Sequence, residues 1–146
     1  MWQEDYERKK VTPEQLRDII RPGSRVFIET GCSEPQYLVR RLIFENKDLS
    51  DVEIYTSIPL SGYADLGGEY GSRFRLKSFF VSPNMSTAFA EGNADHMPVS
   101  SIGLTKLLAQ DYIKINTLIM HLSPPDKQGF MSLGVTVDLT KIAIER

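Results

Sequence analysis

Short apolar segments with the spacing of strands alternate along this chain with segments that have the spacing of helices. Strands are predicted over residues 25–29, 52–55, 76–81, 97–99 and 117–122, and helices over residues 13–20, 35–43, 85–91, 102–110 and 139–146. A helix between two strands carries the chain back across the sheet, so such strands pair in parallel. The sequence therefore predicts an open α/β domain with a mainly parallel sheet and helices on both faces.

Capping residues predict where several of these helices begin. Thr12 and Gln15 have the spacing of a capping box, and Pro13 between them suits the first turn of a helix. The other predicted caps are Asn84, Ser100 or Ser101, and Asp138. The last predicted helix has no glycine or proline after it and no strand follows it, so we expect the chain to be part of a longer protein.

The bulk properties of the chain fit one soluble domain. It has 146 residues and a net charge of −2, which provides no basic surface for nucleic acid. The first ten residues are charged and lack the apolar core of a secretory signal, and no apolar run approaches the roughly 20 residues that cross a bilayer. We therefore expect a cytoplasmic protein that binds neither nucleic acid nor a membrane. Cys32 is the single cysteine, so no internal disulfide can form.

The segment 123–134 follows the last predicted strand and is rich in turn residues. Pro124 and Pro125 cannot donate the hydrogen bonds of a sheet, so the strand should stop before them. Asp126 and Gly129 occupy the first and last positions of a possible type I turn. Because ligands of open α/β sheets bind beyond the carboxyl ends of the strands, this stiff polar loop is a candidate binding segment.

The turn 30–35 joins the first strand to the next helix. Backbone amides at such a position can hold a carboxylate, a thioester carbonyl or a phosphate. Ordinary capping of the helix explains the same residues equally well, so both interpretations stay open.

Familiar catalytic motifs do not fit the remaining candidates. Ser132 is separated from Gly129 by two residues, whereas a nucleophile elbow needs one. Cys32 lies before a helix, where a thiol can become reactive, but a lone cysteine is more often inert. His96 and His121, the only histidines, belong to no metal-ligand motif, so no metal site is expected. The glycine-rich segment 62–71 lacks the lysine of a phosphate-binding loop and is interpreted as a surface or substrate-covering loop.

Several segments, in order along the chain, resemble the N-terminal domain of the acetyl-CoA hydrolase/transferase family, which includes acetate, succinate and 4-hydroxybutyrate CoA-transferases. Residues 20–28 (Ile-Arg-Pro-Gly-Ser-Arg-Val-Phe-Ile) resemble its first strand entry, and residues 31–36 (Gly-Cys-Ser-Glu-Pro-Gln) its first substrate-side loop. The further matching segments are 6–14, 79–84, 92–99, 123–129, 132–135 and 137–138. The segment from Ser123 onward is the most specific of them.

The resemblance implies a CoA-transferase type of fold and a carboxylate route of catalysis. In such enzymes a glutamate attacks the acyl-CoA thioester and passes through an acyl-glutamyl anhydride to a glutamyl-CoA thioester. Coenzyme A is then a substrate, a small carboxylic acid is the second substrate, and no cofactor is needed. The residues implied for one wall of the acyl-CoA pocket are Gly31, Cys32, Ser33, Glu34, Ser123, Pro124, Pro125 and Asp126.

The nucleophile itself is not expected in this chain. In the family that the chain resembles, the glutamate lies in the C-terminal domain, and Glu29, Glu34 and Glu69 match no nucleophile motif. Residues 1–146 are therefore interpreted as the N-terminal portion of a homo-oligomeric CoA-transferase or acyl-CoA hydrolase that needs a C-terminal domain or subunit. The alternatives are a non-catalytic binding or oligomerisation module and a sugar-phosphate isomerase of related fold, for which no acid/base pair is visible.

Overall fold

In the computed structural model of the chain, the strands form one parallel sheet. The structure describes residues 1–64, 68, 70–135 and 139–145. Within these residues the sheet has five strands in the order β4-β3-β2-β1-β5, and every neighbouring pair is parallel. The strands are β1 (Arg25–Ile28), β2 (Val52–Thr56), β3 (Phe74–Ser78), β4 (Ala94–His96) and β5 (Thr117–Ile119).

Short helices connect the strands and precede the first one. They are α1 (Trp2–Lys9), α2 (Leu16–Ile19), α3 (Gln36–Arg40), α4 (Ser86–Ala90), α5 (Ser101–Ala109) and α6 (Thr140–Ile144). The turns Pro13–Gln15, Gly31–Ser33, Gly62–Ala64 and Pro83–Met85 are 3₁₀-helical, and Arg41–Glu45 continues α3 as a π-helical turn. Over the part of the chain described, no helix has the length and apolarity that a bilayer span requires.

Helices cover both faces of the sheet, as the sequence predicts. Successive side chains of a strand point to opposite faces, so Val26 and Ile28 pack on the first face and Phe27 on the second. The apolar cluster on the first face also includes the buried residues Ile20, Val39, Leu42, Ile43, Leu76, Met85 and Ala88. The apolar cluster on the second face also includes the buried residues Tyr55, Phe79, Leu104, Leu108, Ile113 and Leu139. The sheet is therefore the middle layer between two apolar clusters.

The third and fifth strands end earlier than the sequence predicts. β3 stops at Ser78, so Phe80 and Val81 lie in the following loop, where they are exposed. β5 stops at Ile119 rather than at residue 122, and His121, predicted inside the strand, is exposed as well. Phe80, Val81 and Leu122, which end the two predicted strands, are surface residues at the C-terminal edge of the sheet.

The fourth strand lies three residues before its predicted position. It covers Ala94–His96, and the prediction of a strand over residues 97–99 is wrong. The amide of Met97 still donates to the carbonyl of Ser78 at 2.8 Å, which is the last bond of this ladder. Pro98 has no N–H group and so cannot continue it.

Two of the predicted helix caps are confirmed and one is wrong. The side chain of Gln15 accepts from the amide of Thr12 at 2.7 Å, and Ser100 caps α5. Before α4 it is Ser82 that acts as the cap, because its hydroxyl accepts from the amide of Asn84 at 3.3 Å. The predicted cap Asp138 and part of the glycine-rich segment fall outside the described residues.

Charged side chains of opposite sign lie next to each other on neighbouring strands, on the second face of the sheet. Arg25 stands beside Glu53 in the register of β1 and β2, and Glu53 stands beside Arg75 in that of β2 and β3. Asp95 on β4 accepts hydrogen bonds from Nε and Nη2 of Arg75, both at 2.7 Å, and from Nζ of Lys77 at 2.5 Å. The guanidinium of Arg75, and then the ammonium of Lys77, hold the pKa of Asp95 at about 2, below its ordinary value.

This pair of cations predicts a pH-dependent contribution of Asp95 to stability. A lowered carboxyl pKa stabilises the fold above the unfolded value of 3.8, and the contribution is lost as the pH falls from there through about 2. Solvent screens the group, because its side chain is 36% exposed, so we expect about 1 kcal/mol or less. Urea unfolding of Asp95→Asn should show this deficit at pH 7 and a much smaller one near pH 2, where half of the native carboxyl is protonated. A deficit of equal size at both values would contradict the assignment.

Candidate functional site

The order of the strands places a topological switch point between β1 and β5, which is where open α/β sheets form their ligand crevice. The strands β2, β3 and β4 are added in order on one side of β1, whereas β5 lies on the other side of β1. The segment after β1 leads to α3 on the first face, and the segment after β5 leads to α6 on the second face. The two connections diverge at the C-terminal edge of the sheet, which is where open α/β sheets bind ligands.

The first loop (residues 30–35) forms one side of this crevice. Gly31 has a φ of +61°, a left-handed conformation that favours glycine, and it begins a 3₁₀ turn closed by the bond from the Glu34 amide to its carbonyl at 3.0 Å. Cys32 is exposed and Gly31 half-buried, whereas Ser33 and Glu34 are buried. Of the four residues predicted here, only Gly31 and Cys32 are accessible to a ligand.

The carboxylate of Glu34 is used inside the protein. Its Oε2 accepts the amide of Leu60 at 2.7 Å, and its Oε1 accepts the amide of Ser61 at 2.9 Å together with the Ser61 hydroxyl. The residue is only 3% exposed. Glu34 therefore lies beneath the surface of the first loop and binds the backbone of residues 60 and 61. The spacing of the motif alone does not reveal this role.

The proline loop (residues 120–135) forms the other side of the crevice. It is closed at its base, because the amide of Ser123 donates to the Ser132 carbonyl at 3.0 Å and the amide of Ser132 donates to the Ser123 hydroxyl at 2.8 Å. At its tip, the amide of Gly129 donates to the carbonyl of Asp126 at 3.1 Å, which confirms the predicted turn. The carboxylate of Asp126 also accepts the amide of Phe130 at 2.9 Å.

The polar groups of Ser123 and Asp126 thus shape the loop itself. Ser123, Pro124 and Asp126 are exposed, and Pro125 is half-buried. Phe130 adds an aromatic ring that is 74% exposed. The exposed surface of the loop thus combines proline and aromatic side chains with polar ones.

The N-terminal helix α1 touches the tip of the proline loop through its only tryptophan. Gly129 has a φ of +93°, and the ring of Trp2 fills the space beside its Cα. A Cβ at position 129 would lie 2.9 Å from Cδ2 of Trp2. The close contact requires glycine at this position for two separate reasons, conformation and space.

Glu29 joins the two sides of the crevice, and sequence reasoning assigns it no role. It follows β1 directly and is 1% exposed. Its Oε2 accepts the amide of His121 at 3.1 Å, and its Oε1 accepts the hydroxyl of Thr140 at 3.0 Å. Its own amide donates to the carbonyl of Ile119 at 3.0 Å. The one signal in the sequence is a carboxylate placed immediately after a buried strand.

The other sequence candidates lie apart from any catalytic arrangement that the structure describes. The hydroxyl of Ser132 accepts the amide of Gly134 at 3.1 Å, so it takes part in the loop's own turn. His96 and His121 are exposed. Over the described ranges, no group of three or more His, Cys, Asp and Glu side chains could hold a metal ion. The two sides of the crevice are therefore formed by the first loop and the proline loop, and the carboxylates of Glu29 and Glu34 are buried beneath them.

A family model and two curated relatives all point to the same family of proteins. The model of the acetyl-CoA hydrolase/transferase N-terminal domain matches residues 1–146. A succinyl-CoA:acetate/propanoyl-CoA:succinate CoA transferase of Fasciola hepatica is 31% identical over 128 residues, which are 86% of this chain and 26% of that protein. A 4-hydroxybutyrate coenzyme A transferase of Clostridium kluyveri is 30% identical over 149 residues, which are 99% of this chain and 34% of that protein. The chain thus spans about a quarter to a third of the length of these curated relatives.

Solved structures agree on the fold. The crystal structure of RipA from Yersinia pestis superposes with a TM-score of 0.79 at 26% identity, covering 94% of this chain and 34% of RipA. The structure of a RipA point mutant gives a TM-score of 0.81 at the same identity, covering 92% of this chain and 33% of RipA.

Proposed function

Because the chain belongs to the acetyl-CoA hydrolase/transferase N-terminal domain family, we propose that it forms one wall of the acyl-CoA pocket of a CoA-transferase or acyl-CoA hydrolase. The observation that carries this proposal is the position of the two family-like loops. Gly31–Ser33 and the proline loop follow β1 and β5, the adjacent strands between which the connections diverge. Glu29 directly precedes the first loop, and its carboxylate accepts hydrogen bonds from the His121 amide after β5 and from the Thr140 hydroxyl on α6, so it links the two sides.

The nucleophile in this proposal comes from a C-terminal domain, in the same protein or in a separate subunit. Of the glutamates near the crevice, Glu29 and Glu34 are buried, and both oxygens of each accept hydrogen bonds from the protein. A carboxylate held in this way cannot approach a thioester without breaking those bonds. Their engagement supports a division of labour between this wall and a partner that carries the reacting glutamate.

The proposed reaction is a double transfer of an acyl group and of CoA. The partner's glutamate attacks the thioester carbonyl and expels CoA as a thiolate, which gives an acyl-glutamyl anhydride. The thiolate then attacks the glutamyl carbonyl, releases the first carboxylate and leaves a glutamyl-CoA thioester. An acceptor carboxylate reverses these two steps to form the new acyl-CoA, whereas in a hydrolase water cleaves the glutamyl-CoA thioester.

An exchange assay tests this division of labour. Purified chain is incubated with acetyl-CoA and propionate, alone and after addition of the C-terminal domain of a relative, and propionyl-CoA is measured by chromatography. We expect no turnover above background for the chain alone and exchange when both parts are present. Turnover by the chain alone would overturn the assignment of the nucleophile to the partner. If the chain neither binds acetyl-CoA nor supports exchange, a non-catalytic oligomerisation module becomes the better account.

A further inference from the structure

The segment Ile58–Ser61 lies beside the first loop and is attached to it at both ends. The amide of Gly31 donates to the carbonyl of Ile58 at 2.9 Å. At the other end, the two oxygens of Glu34 accept the amides of Leu60 and Ser61 at 2.7 and 2.9 Å, and the Ser61 hydroxyl as well. Four hydrogen bonds therefore connect a segment of four residues to a loop that the resemblance assigns to the substrate.

Among the residues that the structure describes, few other hydrogen bonds hold this segment in place. It follows β2, which ends at Thr56, so it lies beyond the last residues of that strand. Asn84 donates to the carbonyl of Pro59 at 3.4 Å, which is a long and weak bond. Pro59 has no amide hydrogen, and the amides of Leu60 and Ser61 after it both donate to Glu34. Both are bonded to the same carboxylate.

The outer surface of the segment is apolar. Ile58 and Leu60 are each 50% exposed, whereas Pro59 is buried. Phe80, in the loop after the adjacent strand β3, is 46% exposed. Half-exposed apolar side chains at the C-terminal edge of a parallel sheet are the kind of lining that small-molecule sites use.

We propose that Glu34 is a positioning residue that holds Ile58–Ser61 as a third, apolar wall of the acyl-CoA site. This inference rests on the proposed function, since it extends the same site from two walls to three. The carboxylate does not touch the substrate. It fixes the backbone of residues 60 and 61, and Ile58 and Leu60 then face the apolar part of the acyl group.

Replacing Glu34 by glutamine tests the anchor with little change in size. The glutamine amide turns one acceptor oxygen into a donor, which then faces an amide hydrogen of Leu60 or Ser61. Hydrogen–deuterium exchange of the peptide covering residues 57–63 should become about ten-fold faster or more, because a part-buried hydrogen bond to a charged group is lost. Acetyl-CoA should slow exchange at residues 60–61 in the unchanged chain, and its affinity should fall about ten-fold in Glu34→Gln.

Two further variants separate positioning from general loss of stability. Ile43→Val removes one methylene from the first-face core and none of the hydrogen bonds of the anchor, and it should leave the affinity for acetyl-CoA unchanged. Ser61→Ala removes the hydroxyl bond alone, keeps both amide bonds and should give a smaller loss of affinity than Glu34→Gln. It also provides the measurement if the glutamine variant does not fold.

Each outcome decides between the two proposals. Protection by acetyl-CoA at residues 31–34 and 123–126 without protection at 60–61 overturns the third wall and leaves the proposed function standing. Unchanged affinity in Glu34→Gln, despite faster exchange at 60–61, overturns the positioning role. The absence of protection anywhere overturns the third wall together with the proposed function.

Discussion

Replacing Glu29 by alanine is expected to lower the free energy of unfolding by about 3 kcal/mol. The change leaves the Thr140 hydroxyl and the His121 amide without their acceptor and opens a space at a site that is 1% exposed. An unsatisfied buried donor costs about 1–3 kcal/mol, and the missing side-chain atoms add a cavity term. Urea denaturation at pH 7 measures the total loss.

The loss should be accompanied by local opening of the crevice. Glu29 connects the exit of β1 to the exit of β5 and to α6, so hydrogen exchange should become faster in the peptides that cover the proline loop and residues 139–145. Glu29→Gln keeps one acceptor and should cost about 1 kcal/mol. Glu45→Gln, which changes an exposed carboxylate paired with Arg41, should cost about 0.5 kcal/mol or less. Equal losses in Glu29→Ala and Glu45→Gln would show that Glu29 does not join the two sides.

Replacing Gly129 by alanine is expected to lower the free energy of unfolding by about 2 kcal/mol and to detach Trp2 from the proline loop. A left-handed conformation costs an L residue about 1–2 kcal/mol, and Gly129 has a φ of +93°. The added methyl group would also lie 2.9 Å from the Trp2 ring, so the ring must move. Trp2 is the only tryptophan, and its emission should shift to longer wavelength as it enters water.

Gly134→Ala is a matched control for this prediction. Gly134 also has a positive φ, at +72°, but nothing lies within 4 Å of the position that its Cβ would take. This variant should therefore lose about 1 kcal/mol from strain alone and leave the tryptophan emission unchanged. An equal shift of emission in both variants, or none in Gly129→Ala, would contradict the contact between α1 and the loop.

The fold could be predicted because its signals are local. Apolar periodicity and caps such as Thr12 and Ser100 each act over a few neighbouring residues, and together they give the order of strands and helices. Strand ends were harder to predict, because Phe80 and Val81 continue the apolar pattern of β3 beyond the last ladder bond. Where a strand stops depends on its neighbour in the sheet, which local sequence does not specify.

The site could be predicted only as far as its backbone turns. The turn from Asp126 to Gly129 has a short-range signature and is present in the structure. The partners of Glu34 lie 26 and 27 residues away, and those of Glu29 lie 92 and 111 residues away. No spacing rule connects residues so far apart, and the role of both carboxylates therefore emerges only from the folded chain.

The position of β5 next to β1 also sets the order in which the molecule assembles. Val26 pairs with Ile54, 28 residues later, and with Thr117, 91 residues later. Closing the longer loop costs about 1 kcal/mol more in chain entropy, so contacts among β1, β2 and β3 should form before β5 docks. The crevice exists only after that last step. During synthesis and refolding, the proposed acyl-CoA wall is then completed after the rest of the sheet, and a ligand of that wall would bind only to chains that have finished folding.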